Sequence, residues 1–439
     1  VGVVSLGCSK NLVDTEFMLG RLVDDGWEVT PDHHRADLLI VNTCAFVAPA
    51  VRESEETIAR LLRGKARRPG TRVVVAGCLV NRSAPDLVSR FPAVDVFLPP
   101  DRIGELGLLL DGTPQGCAVA AGGRGFLPGR DARRLLTTAP WAFLKISDGC
   151  DNRCAYCLIP AIRGPHRSRG LSGILDEAAG LISSGVRELN LVGQDLTRWR
   201  SGRKVLEDLL GALDRLPGDF RIRLLYLHPS RVTASLAAAM AEHPKVLPYL
   251  DMPIQHADDR VLEAMGRPYR GKDLRRIYRL LRETVPGIAL RTTVMVGHPG
   301  EGRREFQVLG DFLEECPFEN LGCFAYSPQA GTPSADREAV SPGTAARRRR
   351  KVMLRQEEIS ASLWSGRVGR TVEALILSPL RGRSLWLGRA AWQAPEVDGS
   401  CLVRGRCRPG EWSAVTVTGA RTYDLEARAS STTNPTTRS

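Results

Sequence analysis

The chain has 439 residues, 43% of them hydrophobic and 25% charged, an ordinary globular composition with material for two or three domains. No apolar stretch approaches the roughly 20 residues that cross a bilayer, so no membrane role is expected. The formal net charge of +12 fits an anionic partner such as RNA or a ribosome, though an Arg-rich composition from a GC-rich genome explains it equally.

The opening run VGVVSLGCSKN has neither a basic n-region nor a cleavage site, so no secretory signal is expected. Eleven cysteines without disulfide-scaffold spacing point to a reducing cytoplasm and to metal or redox uses. Residues 1–115 alternate strand and helix patterns, which predicts a parallel sheet. VGVVSLG, DLLIVNTC and TRVVVAGC read as strands, and DTEFMLGRLVDDG and RESEETIARLLRG as helices. The strands end at Cys8, Cys44 and Cys78. Ligands collect beyond the carboxyl ends of parallel strands, so these three thiols are expected to face one another and hold a metal cluster. No GxGxxG or GxxxxGK[ST] run supports a nucleotide site here. Residues 116–136, rich in Gly, Pro and Arg, read as an extended surface linker.

Residues 137–360 carry six strand patterns, WAFLKIS, RELNLVG, FRIRLLYL, LPYLDMPI, IALRTTVMVG and NLGCFAYS. Helical patterns such as LRRIYRLLRET and REFQVLGDFLEE separate most of them, which predicts a full or partial (β/α) barrel. The loop after the first of these strands, SDGCDNRCAYCLIP, holds Cys150, Cys154 and Cys157. Three soft ligands on one short loop suit a cubic iron–sulfur cluster with one iron left open. Zinc, with His166 as a fourth ligand, is the alternative reading of the loop. The basic run ARRRRKVMLRQEEIS predicts a helix whose charges are either solvated or directed at phosphate. In residues 366–427, TVEALIL, SLWLGRA, CLVRGRC and SAVTVTGA predict a small antiparallel barrel, and 428–439 a disordered tail. Cys117, Cys316, Cys323, Cys401 and Cys407 lack partners at convincing spacing and read as packing residues.

The CxxxCxxC spacing at Cys150, Cys154 and Cys157 matches the signature of radical S-adenosylmethionine (SAM) enzymes. Three cysteines in an N-terminal sheet, then such a barrel, then a small OB-like TRAM barrel resemble the radical-SAM methylthiotransferase family along almost the whole chain. SLGCSKNLVDTE, LKISDGCDNRCAYCLIPAIRG and GRAAWQAPEVDG resemble the branch acting on a ribosomal protein. Ser9, Asp148, Gly170, Trp392 and Gln393 depart from that pattern, and none of them removes a thiolate.

The resemblance implies two [4Fe–4S] clusters, held by Cys150, Cys154 and Cys157 and by Cys8, Cys44 and Cys78. The first cleaves SAM, and the second carries the sulfur to be transferred. Tyr156 is a candidate to pack near SAM, or is a core aromatic. Gln194 and Asp195 are candidates for hydrogen bonds to SAM or substrate, against a turn-stabilising Asp. Met252, Pro253, Gln255 and His256 are expected at the barrel mouth, and Arg291 opposite the SAM carboxylate. The implied activity is methylthiolation of the β-carbon of an aspartate in the small-subunit ribosomal protein uS12, free or in the assembled subunit, giving 3-methylthioaspartate. Flavodoxin or ferredoxin is the implied electron donor. The alternatives are 2-methylthiolation of a tRNA adenosine and a non-catalytic zinc protein that binds nucleic acid.

Overall fold

Short Val- and Leu-rich runs build the first unit. In the computed structural model, which describes residues 1–112, 117–118, 123–129, 134–135, 138–381 and 384–430, they form a parallel five-stranded sheet. Its order is β1 (Gly2–Ser5), β2 (Leu38–Thr43), β3 (Arg72–Gly77), β4 (Val96–Leu98) and β5 (Cys117–Ala118). Alternate side chains of β2 and β3 serve opposite faces. Leu39, Val41, Val73 and Val75 pack under α2 (Ala48–Arg67) and α3 (Cys78–Arg90). Leu38, Ile40, Val74 and Ala76 pack under α1 (Ser9–Asp24) and α4 (Leu106–Gly112). The first helix starts at Ser9, earlier than its apolar pattern suggests, because Cys8 already has the extended backbone of a helix N-cap.

The second unit is an open six-stranded parallel sheet, a partial barrel. Its strands are β6 (Trp141–Lys145), β9 (Glu188–Val192), β10 (Arg221–Leu224), β11 (Val246–Asp251), β12 (Ala289–Val296) and β13 (Asn320–Ala325), adjacent in that order. The short pair β7 (Ser147–Asp148) and β8 (Arg167–Ser168) brackets the Cys150 loop and α5 (Ile159–Arg163). Helices α6 (Leu171–Ser183), α7 (Leu206–Asp214), α8 (Ala234–Glu242), α9 (Asp259–Ala264), α10 (Gly271–Thr284) and α11 (Arg303–Glu315) link the strands, and apolar side chains of α6, α7, α8, α10 and α11 share a core with one face of the sheet. The basic helix α12 (Pro342–Ser365) spends part of its charge run internally. Arg348 pairs with Glu301, and Arg349 donates to the Cys323 carbonyl.

The third unit is a closed five-stranded barrel, ordered β14 (Thr371–Arg381), β15 (Leu385–Ala390), β16 (Cys401–Arg404), β18 (Leu425–Ala429) and β17 (Trp412–Ala420). The last strand in the chain, β18, is not among the four patterns read from the sequence and runs past residue 427. Its charged alternation, LEARA, carries a weak strand signal, and its place is set by parallel pairing with β16.

The small barrel covers the other face of the six-stranded sheet. Phe143, Val192, Leu225, Leu247 and Tyr249 share one core with Trp364, Trp386 and Trp392. Buried ions cross this core. Glu188 on β9 accepts from Arg223 at 2.8 Å and from Arg389 of the small barrel at 2.5 Å. Arg291 does not stand free for SAM, because it donates to Asp398 Oδ1 at 2.7 Å and to the Val397 carbonyl. The linker also departs from its expected surface course. Gly125 and Pro128 are buried, and Arg134 bridges Glu16 on α1 and Glu177 on α6. Residues 116, 119–122, 130–133 and 136 of that segment, the side chain of Cys117 and the tail beyond residue 430 lie outside the described residues.

Burial alone would raise the Glu188 carboxyl, but Arg389 and Arg223 overturn that and hold it below its ordinary 4.5. A carboxylate lowered on folding contributes stability above its unfolded pKa, and loses it as pH falls through the folded value. We expect Glu188→Gln to cost about 3–5 kcal/mol at neutral pH, since two buried guanidiniums lose their shared partner. Urea titrations from neutral pH to below pH 4 should show the variant losing less stability on acidification than the parent.

Candidate active site

Three strand-to-helix turns of the first sheet and one loop of the second deliver six thiols to a common space. Cys8 precedes α1, Cys44 follows β2, and Cys78 opens α3 directly after β3. The backbone must turn sharply before Cys78 and before Cys150, and both times glycine allows it. Gly77 has φ 100°, and a Cβ there would collide with Asn42 Oδ1 and the Thr43 carbonyl. Gly149 has φ 80°, and a Cβ there would collide with the Pro165 carbonyl.

A cavity of about 720 Å³ lies between the two units, and Cys8, Cys44, Cys78, Cys150, Cys154 and Cys157 all line it. None of the six is in a disulfide. A smaller cavity of about 310 Å³, lined by Arg282, Glu319 and Arg367 among others, holds none of the candidate side chains. Backbone N–H groups of Asn152 and Ile159 donate to the sulfurs of Cys150 and Cys157 at 3.4 and 3.5 Å. Burial pushes the Cys44 and Cys150 thiols up, Cys78 to about 11 and Cys157 to about 12. Cys8 is exposed as a residue, and although the packing around its sulfur acts in the same direction, Lys10, Arg163 and two backbone N–H groups prevail and lower it. A soft metal group replaces such thiol protons, so loading these sites releases protons and is favoured by rising pH.

The set fits iron–sulfur ligation better than zinc. His166 Nε2 is engaged with Ser168 Oγ at 3.0 Å, and the ring does not line the cavity. Among the described residues no three His, Cys, Asp or Glu side chains stand as a single bound ion requires.

A buried ionic cluster joins the two units beneath the thiols. Lys145 Nζ lies 2.5 Å from Asp14 Oδ1 and 2.6 Å from Asp148 Oδ2. Arg163 binds the same two carboxylates at 2.9 and 2.8 Å. Its remaining nitrogens reach Asn11 Oδ1 at 2.5 Å and Cys78 Sγ at 3.3 Å. One guanidinium on the helix after the Cys150 loop therefore holds a thiol of the other triplet. Burial would raise the Asp148 carboxyl, but Arg163 and Lys145 keep it far below the usual range.

Of the other expected residues, Tyr156, Gln194, Pro253 and Gln255 line the cavity. Tyr156 Oη accepts from Arg267 at 2.7 Å. Gln194 donates to Asp148 at 2.8 Å, and its Oε1 is buried without a partner. Gln255 holds a left-handed φ of 67°, uncommon outside glycine. Asp195 does not reach the cavity. Its carboxylate is filled by Thr197, by Arg231 and by Asn152 Nδ2 at 2.8 Å, so it anchors the Cys150 loop as a turn residue. Met252 is core, and His256 is fully buried with its Nδ1 accepting from the Asp258 amide. Burial lowers the His256 imidazole to about 3, so it is neutral at physiological pH. Sequence reasoning missed Lys10, Arg163, Tyr226, His228 and Arg267, all of which line the cavity. For Arg163 a signal existed, a lone cation in the apolar run LIPAIRG.

Three family models match the chain: Uncharacterized protein family UPF0004 over residues 1–99, the Radical SAM superfamily over 144–313 and the TRAM domain over 368–429. The ribosomal protein uS12 methylthiotransferase RimO of Pelotomaculum thermopropionicum is 40% identical, covering 97% of this chain and 98% of that one. Its namesake from Syntrophobacter fumaroxidans is 42% identical, covering 97% of each. The chain belongs to the RimO family. Among solved structures, the radical SAM methyltransferase TsrM from Kitasatospora setae, with cobalamin and a [4Fe–4S] cluster bound, superposes with a TM-score of 0.57 at 18% identity over 76% of each chain. The cobalamin-dependent radical enzyme OxsB gives 0.51 at 11% identity over 82% of this chain and 56% of that one. These two share the fold with the RimO-family chain. RimO-family membership and the radical SAM match make this an enzyme that uses SAM and iron–sulfur chemistry.

Replacing Arg163 should be costly before any cofactor is considered. We expect Arg163→Met to lose about 3–5 kcal/mol in urea unfolding of the metal-free protein, because two buried carboxylates are left to one lysine. Arg163→Lys should recover only part, since an ammonium cannot reproduce the guanidinium's fork toward Asp14, Asp148, Asn11 and Cys78.

Proposed function

We propose that the protein transfers a methylthio group to the β-carbon of an aspartate in ribosomal protein uS12, giving 3-methylthioaspartate. The observation that carries this reading is the single cavity onto which two cysteine triplets from separate units open. Sulfur held at one triplet can meet carbon activated at the other only if both face one space. The name of the RimO relatives supplies the substrate.

Cys150, Cys154 and Cys157 would hold one [4Fe–4S] cluster, and Cys8, Cys44 and Cys78 the other. When bound, the clusters and SAM supply the electron, the hydrogen-abstracting radical and the methylated sulfur. The chain's own residues place and shield. Asn152, fixed by Asp195, sets the Cys150 loop. Tyr156, Gln194 and Gln255 face the space left for SAM and substrate. His228, lowered to about 3 by burial, is a neutral imidazole on the same wall. Apolar groups such as Leu6, Ile159 and Phe324 limit the water that would quench a radical. The target is uS12, free or in the assembled small subunit, with the small barrel as the RNA-facing part. A flavodoxin or ferredoxin would supply electrons in the cytoplasm. Among the described residues no helix is long and apolar enough to cross a membrane.

Mass spectrometry of uS12 and of tRNA from a deletion strain tests the substrate. The methylthio increment should vanish from uS12 and persist in tRNA, and loss from tRNA alone would transfer the activity to tRNA. In anaerobic assays Cys154→Ala should abolish SAM cleavage. Cys44→Ala should retain part of the cleavage to 5′-deoxyadenosine but insert no sulfur. A Cys44 variant that still inserts sulfur would remove the N-terminal triplet from the mechanism.

A further inference from the structure

Lys145 and Arg163 face Asp14 and Asp148, two cations against two carboxylates. Lys10 is a further cation on the same wall, only 9% exposed. Among the described residues its ammonium has no hydrogen-bond acceptor and no ion-pair partner. Its one contact of this kind is the face of Tyr226, 3.6 Å from the ring centroid. Tyr226 is itself held at a left-handed φ of 64°, and its hydroxyl lies 3.3 Å from Ser9 Oγ. Cys8, Asp148 and Asp251 act on the ammonium only through space, and among the described residues Glu53, which also lines the cavity, is exposed and does not pair with Lys10. A buried ammonium without a direct anionic partner is costly, so its place in a cavity wall points to an anion that arrives.

The substrate chemistry names that anion. An aspartate whose β-carbon lies between the two triplets brings its carboxylate with it, one bond away. Lys10 lines the cavity together with Cys8, Cys44 and Cys78 and acts on the Cys8 thiol, so its head group stands near the triplet from which sulfur would leave. We propose that Lys10 is a specificity-determining residue that receives the side-chain carboxylate of the substrate aspartate. This rests on the reading of the protein as a uS12 methylthiotransferase. The rival role for Lys10 is to offset the charge of a cluster at Cys8, Cys44 and Cys78.

The test uses the anaerobic holoenzyme and a uS12 loop peptide carrying either Asp or Asn at the target position. Small subunits from a deletion strain with the same two residues serve as a second substrate. Affinity is read by fluorescence anisotropy for the peptides and modification by mass spectrometry for both. The parent enzyme should bind the Asp peptide roughly 10- to 100-fold more tightly than the Asn peptide, the range of a charge-assisted hydrogen bond. Lys10→Met keeps the length of the side chain and its apolar contact with Tyr226, and should abolish that preference. Lys10→Arg should restore much of it. Iron and sulfide content and cluster EPR spectra establish that each variant is folded and loaded. The proposal is overturned if the parent modifies Asp and Asn substrates alike. It is equally overturned if Lys10→Met keeps the Asp preference while shifting the reduction potential of the N-terminal cluster. If the parent accepts neither peptide nor subunit and modifies tRNA instead, the functional reading itself has failed.

Discussion

Four buried charges hold this molecule in its working shape. Lys145 and Asp148 belong to the six-stranded unit, Asp14 to the first helix of the N-terminal unit, and Arg163 to the short helix after the Cys150 loop. Each ion would be expensive to bury alone, and together they satisfy one another only when the two units are seated in one register. That register places the thiols of both triplets on one cavity. The ionic cluster is thus better understood as a source of alignment than of net stability. Association through apolar surface alone would tolerate a slide of a few ångströms, whereas paired carboxylates and a forked guanidinium do not.

A second constraint acts on the far side of the sheet. The small barrel is seated against the sheet by Trp386 and Trp392, which share a core with Trp364 of α12, and by Arg389 and Asp398 through ion pairs with Glu188 and Arg291. It is therefore an integral wall of the enzyme. It is thereby held in fixed orientation to the cavity.

Much of this was legible in the chain itself. Apolar runs of strand length separated by amphipathic helices gave the two parallel sheets, since burial on both faces leaves a strong pattern. The thiol triplets were legible because parallel strands deliver their carboxyl ends to one edge. What escaped was long-range pairing. Arg291 reads as a free cation at a strand, and only the folded chain brings Asp398 to it. Asp195 reads either as a hydrogen-bonding group for SAM or substrate or as a turn residue, and Asn152 and Arg231, arriving from other loops, leave it the second role. Strand β18 has little intrinsic signal and exists because β16 and β17 leave an edge to be closed. Lys10 sat in plain view beside Cys8, yet that no described residue pairs directly with its ammonium is visible only in the folded chain.

The two glycines at the sharp turns carry a genetic consequence. Gly77 and Gly149 have no side chain to offer a ligand, yet any side chain there would displace the sulfur that follows. In a random library scored only for brown colour, these two positions would be indistinguishable from the cysteines themselves.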